Sequence, residues 1–181
     1  SKTSLVIGKS FRTEVEVMGN KIITVIDGSK GWMNRPAMMG GTGEPEDMPA
    51  DQVKMAGSQL SLGSILTNAK KDGFKIELVS KEKLDGADVY LLTVTKPSGE
   101  DSKVYVSTAT NFVVKTQAKV QVNGQEVESE VSFSNYKMVN GLAFPHTVET
   151  PSPMGGTMTV ETVSVEINPT IDAGIFTKPS K

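Results

Sequence analysis

The segment QEVESEVSFSNYKMVNG, residues 125–141, alternates apolar and polar side chains along most of its length. Successive side chains of a β-strand point to opposite faces, so a period of two predicts a strand with one buried and one solvated face. The two sets are Val127, Val131 and Phe133 on one side, and Glu126, Glu128 and Glu130 on the other. The pattern predicts a curved antiparallel sheet whose apolar face must be covered by something else.

Turn signals divide the rest of the chain into further strands. Asn123-Gly124 and Asn140-Gly141 are dipeptides that tight hairpins prefer. TQAKVQVNG precedes the opening segment, LAFPHTVET follows it, and GGTMTVETVSVEINPTIDAGIFTKP closes the chain as a further strand run. Earlier strand patterns occur at residues 3–7, 11–18, 21–26, 30–34, 64–68, 74–82, 89–96, 103–108 and 112–122.

One region interrupts the strands. Residues 35–49, RPAMMGGTGEPEDMP, combine prolines and glycines without periodicity, which predicts a loop. Residues 49–60 carry a short helix pattern, in which Pro49 suits the first turn, Asp51 suits the positive end and Val53 begins an apolar side. Since no linker or repeat divides the sequence, we expect one mainly β domain, residues 1–181, with one short helix.

Composition excludes several classes of protein. The apolar fraction of 37% and the aromatic fraction of 6% suit a sheet with a solvated outer face. A net charge of −2 provides no field to recruit nucleic acid, and no apolar run approaches the ~18 residues of a membrane-spanning helix. The sequence contains no cysteine, which excludes disulfides, thiolate catalysis and cysteine-bound zinc within these residues.

The sequence contains no convincing catalytic constellation. His146 is the one histidine, and a triad or a metal site needs partners that no pattern supplies, so a structural role is favoured. The glycine cluster at residues 40–43 lacks the lysine of a phosphate-binding loop. We therefore expect no enzyme, no metal and no cofactor. A pair of catalytic carboxylates stays open, because sequence does not give their spacing in the fold.

Methionines concentrate in the interrupted region. Nine occur in the chain, and five of them are Met33, Met38, Met39, Met48 and Met55. Flexible, polarizable thioethers suit a surface that adapts to varied apolar ligands, although they also cap sparse cores and bind Cu(I). Capping and a ligand mouth are the favoured interpretations, and the position of Met38-Met39 in a glycine-rich loop favours the mouth.

Several phrases resemble a known family. They are GSKGWM at residues 28–33, PADQVKMA at 49–56, SNYKMVNGLAFPHTVE at 134–149 and INPTIDAGIFTKP at 167–179. Over residues 5–179 the chain resembles the LolA-like outer-membrane lipoprotein-sorting proteins of Gram-negative bacteria, in a divergent and mostly uncharacterised branch.

The resemblance implies a half-open antiparallel barrel of the LolA/LolB type with a helical lid and an apolar interior. Members usually carry an N-terminal helix, whereas this chain begins at a strand, so we expect that helix to be absent. The resemblance also implies a periplasmic, non-catalytic carrier that binds acyl chains of lipoproteins or other lipids. No signal peptide is visible from Ser1, as in a trimmed secreted domain.

The expected ligand contacts are apolar residues of the strands and of the Met-rich region. Inward positions of the strands would supply the concave face, and the tryptophan and methionines would line its mouth. These contacts are Phe11, Val15, Val17, Ile23, Val25, Trp32, Met33, Met38, Met39 and Leu91. The alternatives are a scaffold domain with a filled interior that binds envelope proteins, and then an envelope hydrolase.

Overall fold

The computed structural model describes residues 1–17, 19–122, 125–152 and 156–179, which form two compact units. Unit 1 comprises Ser1–Gly63 together with the chain from Thr170 onward, and unit 2 comprises Ser64–Pro169. The sequence-based expectation that residues 1–181 act as a single domain stays a prediction.

Unit 1 contains a five-stranded antiparallel sheet in which each strand pairs with its neighbour in the sequence. Its strands are β1 (Lys2–Val6), β2 (Ser10–Val17), β3 (Asn20–Asp27), β4 (Lys30–Asn34) and β5 (Pro45–Asp47). The first four confirm the predicted strands to within one residue at each end. β5 lies in the region predicted as a loop, and it forms because Pro45 and Asp47 pair with Asn34 and Trp32 of β4.

The helix predicted over residues 49–60 is shorter in the structure. Helix α1 spans Ala50–Ala56, and a 3₁₀ turn, Gly57–Leu60, follows it. Pro49 precedes the first turn and Asp51 lies in it, as the helix pattern predicts. A second 3₁₀ turn, Ala37–Met39, lies between β4 and β5.

Unit 2 contains a seven-stranded antiparallel sheet, again in chain order. Its strands are β6 (Lys75–Leu84), β7 (Ala87–Thr95), β8 (Asp101–Ser107), β9 (Val113–Val122), β10 (Gln125–Val139), β11 (Leu142–Pro151) and β12 (Thr157–Glu161). The turn between β10 and β11 has positive φ angles of 47° at Asn140 and 83° at Gly141, which confirms the hairpin predicted there. The Asn123-Gly124 turn lies outside the described residues.

Two predictions for this half of the chain are wrong. Residues 64–68 form turns and no strand, since Thr67 N–H donates to the Ser64 carbonyl at 2.9 Å. The closing strand run ends at Glu161, and residues 162–169 lie outside any strand. The last regular element is a 3₁₀ turn, Ala173–Phe176, in which the Asp172 carboxylate accepts a hydrogen bond from Gly174 N–H at 2.9 Å.

Both sheets are open, because each begins and ends on a different strand. The described chain is thus mainly β with one short α-helix, which confirms the predicted fold class. Within the described ranges, no helix combines the length and the apolar character that crossing a bilayer requires.

Candidate functional site

The register of β2 and β3 assigns a face to each ligand contact expected in unit 1. Phe11 lies opposite Ile26, whereas Val25 lies opposite Arg12. Paired residues of antiparallel strands share a face, so Phe11 and Val25 point to opposite sides of the sheet. By the same register, Val15 shares the face of Phe11. These side chains therefore do not all lie on one face of the sheet, and their contact with a ligand stays a prediction.

The face that contains Val25 is covered by the C-terminal tail, residues 171–178. Val25, Trp32 and Phe176 form a buried cluster, and Ile23 and Ile175 pack against it. The indole Nε1 of Trp32 donates a hydrogen bond of 3.0 Å to the Phe176 carbonyl. Trp32 is only 5% exposed, so it lies beneath the tail and does not line an open mouth.

Arg12 fixes the tail to this face through its guanidinium group. Nη1 donates a hydrogen bond of 2.7 Å to the Ile175 carbonyl, and Nε donates one of 2.9 Å to Glu14. The guanidinium carbon lies 5.7 Å from the centre of the Trp32 ring, which is cation–π geometry. The hydrogen bond from Lys21 is the main cause of the lowered pKa of Glu14, and the one from Arg12 adds to it.

A pocket of about 100 Å³ lies where the tail meets β1, β2 and β3. Ser10 and Asp27 line it, and the Ser10 hydroxyl donates a hydrogen bond of 2.6 Å to the Asp27 carboxylate. Ligand pockets usually enclose about 300–1,000 Å³, so this one is too small for a long acyl chain. A ligand at Ile23, Val25 and Trp32 would therefore have to displace the tail.

The opposite face of the same sheet carries Phe11, Val15 and Met33, which are partly buried. Ile26, on this face, is fully buried, and its side chain and the Met48 sulfur both lie beside Gly31. Val17 belongs to the same strand as Phe11, but its side chain lies outside the described part of the molecule.

Met38 is the most exposed of the expected ligand contacts whose side chains the structure describes. It lies in the 3₁₀ turn after β4 with 70% of its surface exposed, and the Asn20 amide donates to its sulfur at 3.4 Å. Met39, beside it, is partly buried. An open thioether suits contact with an apolar ligand.

In unit 2, the register places apolar side chains from all seven strands on one side of the sheet. Leu78 lies opposite Leu92 and Leu92 opposite Val104. Thr116 lies opposite both Val104 and Val131, so Val131 is on the same side. Phe133, two residues further along β10, lies opposite Val148 and shares this side. We call this side the apolar face. Its members are Ile76, Leu78, Tyr90, Leu92, Val94, Val104, Val106, Val113, Val127, Val131, Phe133, Val148, Met158 and Val160.

The apolar face is covered at its centre and open at both ends. Ile65, Leu66 and Phe74 pack on the buried valines of β7, β8 and β9. Side chains away from this packed centre are exposed: Leu78 by 64%, Met158 by 50%, Val127 by 45%, Ile76 by 44%, Val160 by 42% and Tyr90 by 37%. Exposed apolar groups that extend from a packed core are typical of a surface that binds an apolar partner.

The other side of β9 and β10 is charged, as the alternation of residues 125–141 predicts. Lys115 pairs with Glu130 at 2.6 Å and Lys119 pairs with Glu126 at 2.7 Å. The hydrogen bond from Lys115, followed by one from Gln117, lowers the pKa of Glu130. The Glu130 carboxylate is therefore held as an anion in its ion pair with Lys115.

Leu91 lies on the side opposite the apolar face, because it pairs with Tyr105 while its neighbour Leu92 pairs with Val104. It is 9% exposed and packs with Val89 and Tyr105. Leu91 is therefore not part of the apolar face.

His146 is buried, with 4% of its surface exposed, and its Nδ1 lies 3.1 Å from the Phe144 carbonyl. Among the described residues, no group of three or more histidine, aspartate or glutamate side chains is arranged to hold a metal ion. His146 therefore has the surroundings of a structural residue.

Sequence reasoning missed the tail and both open ends of the apolar face. Ile171, Ile175 and Phe176 are apolar residues at irregular spacing, which matches no periodic pattern. The exposed ends of the apolar face could be predicted only in part from the sequence. The alternation of Val127 with glutamates identified one of the strands that carry exposed apolar residues.

Solved structures with a similar fold include a LolA superfamily protein from Nitrosomonas europaea. It matches 95% of this chain and 78% of its own, with a TM-score of 0.60 and 14% identity. The chain has a LolA-like fold.

Two further solved structures also match the fold of this chain. A domain from Vibrio parahaemolyticus, named as a candidate outer membrane lipoprotein-sorting protein, has a TM-score of 0.54 and 17% identity over 93% of this chain and 81% of its own. A DUF1329 family protein from Desulfovibrio piger has a TM-score of 0.51 and 15% identity over 93% and 80%. No family model and no curated protein matches the sequence. The resemblance found in the sequence is thus confirmed at the level of the fold.

Proposed function

We propose that this protein is a non-catalytic carrier that binds acyl chains of lipoproteins or other lipids in the periplasm. The observation that carries the proposal is the apolar face of the seven-stranded sheet, whose exposed ends flank a packed centre. The LolA-like fold, shared with a candidate outer membrane lipoprotein-sorting protein, supports the same class of role.

Burial of hydrocarbon supplies the binding energy in this proposal. Each methylene removed from water contributes about 0.8 kcal/mol, so ten methylenes contribute roughly 8 kcal/mol before ordering costs. Such binding needs a continuous apolar surface and no reacting group. The rows of Ile76 and Leu78 at one end, and of Met158 and Val160 at the other, provide exposed surface of this kind.

Unit 1 contributes a second set of proposed contacts. Met38 and Met39 retain a proposed role because Met38 is open to solvent. The other described contacts expected from the sequence are buried or partly buried. They are Phe11, Val15, Ile23, Val25, Trp32, Met33 and Leu91. A lipid would reach them only after the chain segments that cover them move.

Titration with a dansyl-labelled fatty acid tests the proposal. Leu78→Glu places a charge on the apolar face, and we expect it to weaken binding at least about tenfold, the equivalent of about 1.4 kcal/mol. Met138→Glu is the matched control, because Met138 is 63% exposed against 64% for Leu78 and lies outside the apolar face. Equal binding by both variants, or no binding by the unmodified protein, would refute the proposal.

Native mass spectrometry of protein purified from an envelope extract provides an independent test. If the protein is a carrier, the unmodified protein should contain bound lipid, and the Leu78→Glu variant should contain less of it. Protein that carries no lipid and also leaves the dansyl probe in water would favour a scaffold domain instead.

A further inference from the structure

The two edges of the seven-stranded sheet differ in how they are protected from other strands. β6, at one edge, has a bulge between Leu78 and Ser80 and carries five charged side chains in KIELVSKEKL. β12, at the other edge, has the sequence TMTVE, with one charge, no bulge and every residue exposed. Bulges and charges discourage strand addition at an edge, so β12 is the unprotected edge.

Hydrogen bonds at both ends of the β11–β12 ladder identify the backbone groups of β12 that are free to pair. Thr162 N–H donates to the His146 carbonyl at 2.7 Å, and Ser152 N–H donates to the Gly156 carbonyl at 2.9 Å. Both pairs continue the register of the ladder, in which bonded and non-bonded pairs alternate. Even-numbered residues of β12 therefore bond to β11. The residues whose N–H and C=O groups point away from β11 are Thr157, Thr159 and Glu161.

We propose that β12 pairs with β12 of a second copy of this chain, antiparallel about Thr159. In this register Thr159 lies opposite Thr159, and Thr157 lies opposite Glu161. Each of these pairs exchanges two N–H···O=C bonds. This register alone uses every outward-pointing residue of the strand, so the edge is complementary to itself.

Side chains fit the same register. Glu161, the one charged residue of β12, faces a threonine, so no like charges oppose each other. Met158 lies opposite Val160 of the other copy, and these side chains are 50% and 42% exposed in one copy. Pairing covers part of both and continues the apolar face from one copy into the next.

The dimer is expected to be weak and reversible. A contact between five-residue strands lies below the roughly 1,200–2,000 Å² that stable interfaces bury. Sedimentation equilibrium of the unmodified protein from micromolar to millimolar concentration should show a monomer–dimer equilibrium. A monomer across this whole range would overturn the proposal.

Charge substitutions at the symmetry centre test the register. Thr159→Lys and Thr159→Glu each place two like charges opposite one another, and each should raise the dimer dissociation constant about fivefold, the equivalent of about 1 kcal/mol. An equimolar mixture of the two variants should recover dimer, because opposite charges then meet. Recovery also shows that both variants are folded.

The matched control is Thr67→Lys, an exposed threonine in a turn of the same unit, which should dimerise like the unmodified protein. Failure of the mixture to recover dimer, or dimerisation of Thr159→Lys as tight as that of the control, would overturn pairing through β12. The result does not depend on lipid binding, since no lipid is present in the measurement.

Discussion

Replacement of Phe176 by alanine should destabilise unit 1 by removing the ring that closes the cluster beneath the tail. Phe176 is 5% exposed and packs against Val25 and Trp32. Its carbonyl also accepts the indole hydrogen bond, which a loosened tail would hold less well. The substitution therefore affects both the packing and the alignment of the tail.

The expected loss is about 3–5 kcal/mol, the usual cost of truncating a buried phenylalanine to alanine. This is a large part of the roughly 5–15 kcal/mol by which domains are stable. The ion pair of Lys178 with Asp47, at 3.0 Å, also holds the tail, but Asp47 is 80% exposed in its side chain. A surface pair of this kind contributes at most about 1 kcal/mol.

Urea denaturation followed by tryptophan fluorescence measures this loss directly, because Trp32 is the only tryptophan and lies in the cluster. With an m-value of about 2 kcal/mol/M, the midpoint should fall by roughly 2 M. Lys178→Ala is the control and should shift the midpoint by less than about 0.5 M. A loss below about 1 kcal/mol for Phe176→Ala would show that the tail does not close a stable core.

Three further substitutions test other contacts. Gly31→Ala should destabilise unit 1 by about 1–3 kcal/mol in urea denaturation, since its new Cβ would lie 3.0 Å from a buried isoleucine side chain and 3.1 Å from a methionine sulfur; an unchanged midpoint would contradict that packing. Burial raises the pKa of Tyr136, whose hydroxyl donates to the Val113 carbonyl at 2.6 Å. Folding favours the neutral form of Tyr136. The stabilisation that this residue contributes is therefore present below about pH 10 and is lost as the pH rises through the raised pKa of the folded state. Ultraviolet titration should show late ionisation of a tyrosine that Tyr136→Phe removes, and a titration curve without this late step would refute the prediction. The Lys115 hydrogen bond lowers the pKa of Glu130, so its stabilisation is present above the unfolded pKa and lost as the pH falls through the lowered one. Lys115→Met should raise that pKa in an NMR titration, and an unshifted carboxyl resonance would exclude the ion pair in solution.

Much of the fold follows from local sequence patterns. The alternation of apolar and polar residues predicted which side chains of each strand lie on the same side of the sheet. On β10, for example, Val127 and Glu126 lie on opposite sides, as the alternation predicts. Positive φ angles at Asn140 and Gly141 agree with the turn predicted from that dipeptide. These features depend on neighbouring residues, and that is why a single sequence contains enough information to predict them.

The sequence did not predict which side of the five-stranded sheet each apolar side chain of unit 1 occupies. Phe11 and Val25 each belong to an alternating strand, but alternation does not say how one strand aligns with the next. A shift of one residue in the pairing moves every side chain of a strand to the other face. The register that pairs Phe11 with Ile26 is therefore information that only the structure supplies.

The sequence also did not predict that the C-terminal tail covers the face that contains Val25 and Trp32. Trp32 matched the expected composition of a ligand mouth, yet it is buried by a segment far away in the sequence. Ile175 and Phe176 lie in a 3₁₀ turn, where no periodicity marks the apolar side. Pairwise contacts between distant segments carry no local signal, so the tail was not recognised as part of the core.

The bond between Trp32 and Phe176 joins residues that are 144 positions apart, which has a consequence for synthesis. Translation proceeds at about 5–20 residues per second, so the first sheet would wait roughly 7–29 s for its last core residue. During that interval Val25 and Trp32 would be exposed to solvent, while the intervening hairpins of unit 2 could already fold. The N-terminal sheet is thus made first and completed last, and it is in this window that the nascent chain is most exposed to aggregation.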